Sequence, residues 1–139
     1  MSTVAKSKPT PSQLQFIDEN PFVGVVTTLR EDGSPHSTLV WVDVDEGKVS
    51  FNTATGRAKP RHLEHDPRVS LVVVDPNDAH KWVAVSGRAD VTEEGADPQI
   101  DKLAKKYIGR DEYPWHKPTE RRLKVVIEPE HLDASGFDE

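Results

Sequence analysis

The chain has 139 residues, with 24 acidic against 18 basic side chains and a formal charge of −6, which fits one domain with a buried core and argues against general nucleic-acid or anionic-membrane binding. It holds no cysteine, so disulfides, thiolate catalysis and cysteine-ligated metals are excluded. The N-terminal MSTVAKSKPTPS lacks the apolar run of a signal peptide, and no window approaches the roughly twenty apolar residues of a membrane span, so a soluble cytoplasmic protein is expected.

Met1 to Pro11 is polar with two prolines and reads as a flexible arm, leaving residues 12–139 as a single domain. Ser12 is placed to cap a short helix in which Leu14, Phe16 and Ile17 pack inward, and Asn20-Pro21 stops it. Such a helix would plug one end of a barrel. From Phe22 to Leu29 the residues are β-branched, and Glu31-Asp32-Gly33-Ser34 makes a hairpin turn at which Gly33 takes positive φ. The returning strand, His36 to Asp45, puts Thr38, Val40, Val42 and Val44 on one face and Ser37, Leu39, Trp41 and Asp43 on the other. Both faces are partly apolar, so the strand is either covered on both sides or lies against a ligand.

Glu46-Gly47 is a second tight turn, and the strand after it sets Val49, Phe51 and Thr53 on one face. The three strands read as a meander. A cationic segment follows, with Arg57, Lys59, Arg61 and Arg68 interleaved with His62 and His65. It is the one concentrated positive stretch of an acidic chain. Backbone N–H groups at a helix start, with cationic side chains one or two residues apart, make a seat for a phosphate ester. The alternative is a solvated loop face, which charged loop residues usually form, and the residues alone leave both open. Pro60 removes one backbone donor from such a seat.

His62 to His65 completes a short helix that Asp66-Pro67 ends, Val69 to Val74 reads as a central strand, and Asp75-Pro-Asn-Asp78 as a turn. In the strand His80 to Thr92, Gly87 marks a bulge or the close approach of another backbone. Asp97-Pro98 opens a helix with an apolar stripe of Ile100, Leu103, Ala104 and Tyr107, capped by Gly109. Asp111 to Thr119 is irregular and carries Tyr113, Trp115 and His116, which suits either a ligand-lining loop or one folded over its own tryptophan. The last strand, Arg121 to Pro129, turns Leu123, Val125 and Ile127 inward, and His131-Leu132 returns along the barrel. Many short antiparallel strands with few helices imply a mainly β antiparallel small barrel, closed or split, rather than a doubly wound sheet. No Rossmann fingerprint, phosphate loop or metal-ligand spacing occurs, His62 and His65 at i and i+3 being the faintest hint of one.

The succession VGVVTTLREDGSPHSTLVWV, VSFNTATGRAKPRHLEHDPRVSLVVVD and KWVAVSGRADV, with RRLKVVIEPEHL near the end, resembles the pyridoxamine-5′-phosphate-oxidase-like split-barrel family. The likeness is greatest to its branch of deazaflavin (coenzyme F420)-dependent oxidoreductases. Its specific parts are the G-R-A-K-x-R-x-L run from Gly56 to Leu63 and the D-P-R from Asp66 to Arg68. The resemblance implies that Arg57, Ala58 and Lys59 hold the cofactor phosphate and that Asn52 and Thr53 lie beside its ring system. It implies that Arg61 reaches the phosphate or the acidic tail, and that Thr38, Val40 and Trp41 line the ring and substrate cavity. Trp82 would come from the neighbouring subunit of a homodimer whose interface holds the site.

On that resemblance the protein transfers a hydride between coenzyme F420 and a planar unsaturated small molecule. Flavin mononucleotide (FMN) is the alternative cofactor, and a non-catalytic flavin-, F420- or haem-binding protein the alternative class. No side chain is needed as a nucleophile, no metal is implied, and His36, His80 and His116 are the residues able to donate a proton near neutral pH.

Overall fold

A computed structural model of the chain describes residues 8–138. Its elements are α1 (Pro11–Asp18), β1 (Gly24–Leu29), β2 (Pro35–Val40), β3 (Val42–Asp45), β4 (Lys48–Ala54), α2 (Ala58–His65), β5 (Arg68–Asp75), β6 (Asp78–Thr92), α3 (Ala96–Ile108) and β7 (Arg122–Ser135). Most of the expected arm, residues 1–7, lies outside the described residues, whereas Pro9 is buried and Pro11 already opens α1. The cap of α1 is Thr10 rather than Ser12. Thr10 Oγ1 accepts from the Gln13 N–H at 3.3 Å while Gln13 Oε1 accepts from the Thr10 N–H at 2.9 Å, a reciprocal box that Ser12, inside the first turn, cannot form.

The seven described strands form one antiparallel sheet in the order β2-β1-β5-β6-β7-β4-β3. β2 and β3 therefore stand at opposite ends of the sheet, although only Trp41 separates them in the chain. The sheet curls until its two edges meet in that one run, which makes an antiparallel split barrel. The expected continuous strand from His36 to Asp45 is thus two strands, and the meander is opened at Trp41. β2 ladders onto β1, with Val26 opposite Thr38, and β3 onto β4, with Val42 opposite Phe51. The hairpin joining β3 and β4 turns through Glu46 (φ 50°) and Gly47 (φ 78°), the paired left-handed residues of a two-residue turn matched to strand twist.

The barrel interior is filled by alternate residues of its strands. Val26, Val42, Val49, Phe51, Leu71, Val73, Val83, Val85, Val125 and Ile127 are each at most 2% exposed, and α1 adds Phe16 and Ile17. Each such side chain is worth about 1.5–3 kcal/mol in burial. β6 and β7 share the longest ladder, and its register slips by one residue where Ser86 faces His131 but Gly87 faces Pro129. The expected bulge at Gly87 is there. The last strand accordingly runs on to Ser135 instead of stopping at Pro129, because the bulge absorbs Glu130 and lets pairing resume.

Helix α3, capped at Gly109 (φ 70°), locks the seam. The Val42 N–H donates to Tyr107 Oη at 2.8 Å and that hydroxyl donates to Phe22 O at 2.7 Å, while Lys106 Nζ donates to Ile17 O and Val42 O at 2.7 and 2.8 Å. Burial pushes the Lys106 amine down to about 8. Tyr107→Phe removes the acceptor of a backbone N–H at the barrel seam and should destabilise the fold by about 2 kcal/mol in urea unfolding, the cost of an orphaned polar group. A change below about 0.5 kcal/mol would place the support of the seam elsewhere.

Candidate functional site

The cationic run folds as expected around a helix start, although α2 begins earlier than the residues suggested. Gly56 (φ 84°) turns the chain after β4, the Arg57 N–H bonds Ala54 O at 3.3 Å, and α2 starts at Ala58 and so contains Lys59, Pro60 and Arg61. Pro60 is tolerated there because first-turn N–H groups have no intrahelical acceptor. The side chain of Lys59 reaches from this turn to β2, where Lys59 Nζ donates to Thr38 Oγ1 at 3.2 Å. Burial, and then the neighbouring Arg57, hold the Lys59 amine below its ordinary range. A half-buried ammonium whose one partner among the described residues is a hydroxyl favours an anionic ligand.

Lys59 borders a cleft of about 370 Å³, a volume within the usual size of small-molecule sites. Val23, Leu39, Val40, Trp41, Ile100, Leu103, Tyr113 and Trp115 supply its apolar and aromatic surface, and Asn52, Arg57, Lys59 and Arg122 its polar corner. No carboxylate is among these lining residues. Trp41 stacks on Tyr107 with centroids 5.4 Å apart and planes 9° apart, and Tyr113 meets Trp41 and Trp115 edge-on at 6.1 and 5.6 Å. Arg57 pairs with Glu120 at 3.3 Å, and this hydrogen bond holds the Glu120 carboxyl below its usual range.

Of the residues singled out from the sequence, Asn52, Arg57, Lys59, Val40 and Trp41 line this one cleft, and Thr38 touches it through Lys59. The others stand elsewhere. Thr53 is 1% exposed and shares the inward parity of Val49 and Phe51, so it faces the barrel core, opposite in sense to Asn52. Asn52 spends its amide inside the protein, donating to Ala96 O and Gln99 Oε1 at 2.8 and 3.1 Å and accepting from Arg122 Nε at 2.8 Å. Ala58 is half-buried at the helix start, and exposed Arg61 does not border the cleft. Trp82 sits on β6, opposite Val74 of β5 and Ser135 of β7, and is not among the lining residues either.

None of the three histidines considered as proton donors lines the cleft. His36 packs edge-on against His62 at 5.0 Å, and His62 Nδ1 lies 2.8 Å from buried Thr28 Oγ1. Burial, and then His36, lower the His62 pKa. His116 meets the Tyr113 ring at 5.3 Å, and His80 is exposed at the head of β6. The sequence reading missed Arg122, Ile100 and Leu103 as wall residues, and the aromatic loop resolves in favour of Tyr113 and Trp115 lining the cleft. No helix among the described residues is long and apolar enough to cross a membrane, and no cluster of metal-ligating side chains occurs among them.

A family profile described as pyridoxamine 5′-phosphate oxidase matches residues 10–133. A pyridoxine/pyridoxamine 5′-phosphate oxidase from Citrobacter koseri is 35% identical over 72 residues, which is 51% of this chain but only 33% of that relative. Among solved structures, an F420 reductase superposes with a TM-score of 0.74 at 25% identity, covering 89% of this chain and 98% of its own. A haem storage protein from Vibrio cholerae shares the fold with a TM-score of 0.65 at 15% identity, covering 91% of this chain and 95% of its own.

Proposed function

Because the chain belongs to the pyridoxamine 5′-phosphate oxidase family, we propose that it is an oxidoreductase that uses coenzyme F420 to reduce a planar unsaturated small molecule. The observation that carries this reading is the cleft, in which a corner of Arg57 and Lys59 meets an apolar and aromatic wall with no lining carboxylate. An anionic, ring-bearing ligand satisfies both halves at once. The likeness to an F420 reductase over nearly the whole of both chains supports the deazaflavin. The stretch shared with the Citrobacter oxidase favours FMN as the alternative occupant.

The bound cofactor would supply hydride transfer. Lys59, Arg57 and the first-turn amides of α2 would hold its phosphate, and Val40 and Trp41 would flank its ring. Leu103, Ile100 and Trp115 would exclude water from the second planar molecule. Protein-dependent oxidation of reduced coenzyme F420 by an enone or a quinone, followed by the return of the oxidised chromophore, tests the assignment. Saturable binding with no turnover on either acceptor class would make this a binding protein instead.

The site is read as lying at a homodimer interface. Leu39, Val25, Val72 and Ala84 are direct cross-strand neighbours on the outer face of β2, β1, β5 and β6, with Val74 and Trp82 beside them. Leu39 is 71% exposed, and Val23, Val25, Val72 and Val74 are 37–43% exposed. Val23 and Leu39 also line the cleft, so a second copy covering this face would wall the cofactor site. Trp82→Ala should then raise the dimer dissociation constant at least tenfold in sedimentation while leaving the barrel folded. A large loss of folding stability with unchanged association would make Trp82 a packing residue of its own barrel.

A further inference from the structure

Arg122 is unlike the other cations of the cleft. It opens β7 opposite Ala54 of β4, is 7% exposed, and has no carboxylate within 4 Å among the described residues. By contrast, Arg57 pairs with Glu120 at 3.3 Å and Arg121 with Glu93 at 3.2 Å. Arg122 Nε donates to Asn52 Oδ1 at 2.8 Å, and the guanidinium lies over the Tyr113 ring, 5.0 Å from its centroid. Asn52 is itself fixed by Ala96 O and Gln99. The guanidinium is thus held at its inner nitrogen and on one face, the residue borders the cleft, and no carboxylate among the described residues pairs with it. Burial, and to a smaller degree Arg57, disfavour its charge, and Tyr113 and Glu120 offset only part of that.

A buried guanidinium in this condition is costly until an anion pairs with it, and a preset planar fork suits a carboxylate, which it binds through two parallel hydrogen bonds. Its place in the sheet separates it from Lys59. Lys59 is held on β2 by Thr38, whereas Arg122 is held on β4 by Asn52, and β2 and β4 approach the Trp41 seam from opposite sides of the sheet order. From this arrangement we infer that Arg122 anchors a carboxylate on the substrate, so that the protein acts on planar unsaturated carboxylic acids. The inference rests on assigning the α2 seat to the cofactor.

Calorimetric titration of the protein, with and without bound deazaflavin, using trans-cinnamate and the isosteric cinnamamide tests it. The wild type should bind cinnamate at least tenfold tighter than the amide. Arg122→Gln should abolish that preference, Arg122→Lys should keep part of it, and both variants should leave deazaflavin affinity within about twofold. Equal binding of acid and amide by the wild type overturns the inference. So does a loss of deazaflavin affinity in Arg122→Gln comparable to that in Lys59→Ala, which would give Arg122 to an acidic group of the cofactor. A carboxylate preference that depends on Arg122 in a protein binding neither deazaflavin nor FMN would uphold the anchor and overturn the cofactor assignment alone.

Discussion

Lys59→Ala is expected to weaken binding of the deazaflavin coenzyme by about 1.5–3 kcal/mol, roughly ten- to 150-fold, the scale of a hydrogen bond to a charged group. The ammonium is half-buried at the first turn of α2 and donates to the Thr38 hydroxyl, with no acidic partner among the described residues. Its charge is partly withdrawn from water without a counter-ion among the described residues, so a ligand phosphate gains more from it than from exposed Arg61 two residues on. The loss to folding should be small, because Thr38 is its only hydrogen-bond partner among the described residues. Fluorescence titration of the variant, alongside its thermal unfolding, separates the two effects. Unchanged affinity would remove the phosphate seat from the account.

Gly87→Ala is expected to have the largest effect on stability, about 3 kcal/mol or more, at the upper end of overpacking. A Cβ at this position would stand 1.9 Å from Glu128 O and 3.0 Å from Glu130 N. These are backbone atoms of the bulged partner strand, and no rotamer change moves them away. The β6–β7 ladder must then open at its register slip, where Pro129 already contributes no donor. Since β7 also carries Arg122, Val125 and Ile127, the cleft and core lose order together. Urea unfolding measures the loss. A destabilisation under about 1 kcal/mol would mean that the bulge re-registers at little cost.

Features that depend on a few adjacent residues were legible in the sequence. Glycines at turns and at the α3 cap, the Gly87 interruption and the cationic run between two strands each state a local backbone or charge requirement, and each stands where expected. The break at Trp41 gave no such sign, because Val40 and Val42 continue the apolar alternation through it and only the curl of the whole sheet divides the run. Asn52 and Thr53 could not both face one ligand, since neighbouring strand residues point to opposite faces. That much was available from period two alone. Arg122 was hidden for a different reason. Beside Arg121 at a strand start it reads as a solvated charge, and its burial arises from pairing with β4, some seventy positions away. Trp82 likewise has its surroundings set by neighbouring strands, and its proposed role by a second copy of the chain.

The most direct test of the central claim is a parallel fluorescence titration of the purified protein with coenzyme F420 and with FMN. The account predicts saturable, tight binding of the deazaflavin and much weaker binding of FMN. The reverse preference would contradict it and place the protein among flavin-using oxidases, and binding of neither would reduce the corner of Arg57 and Lys59 to a solvated edge of the barrel.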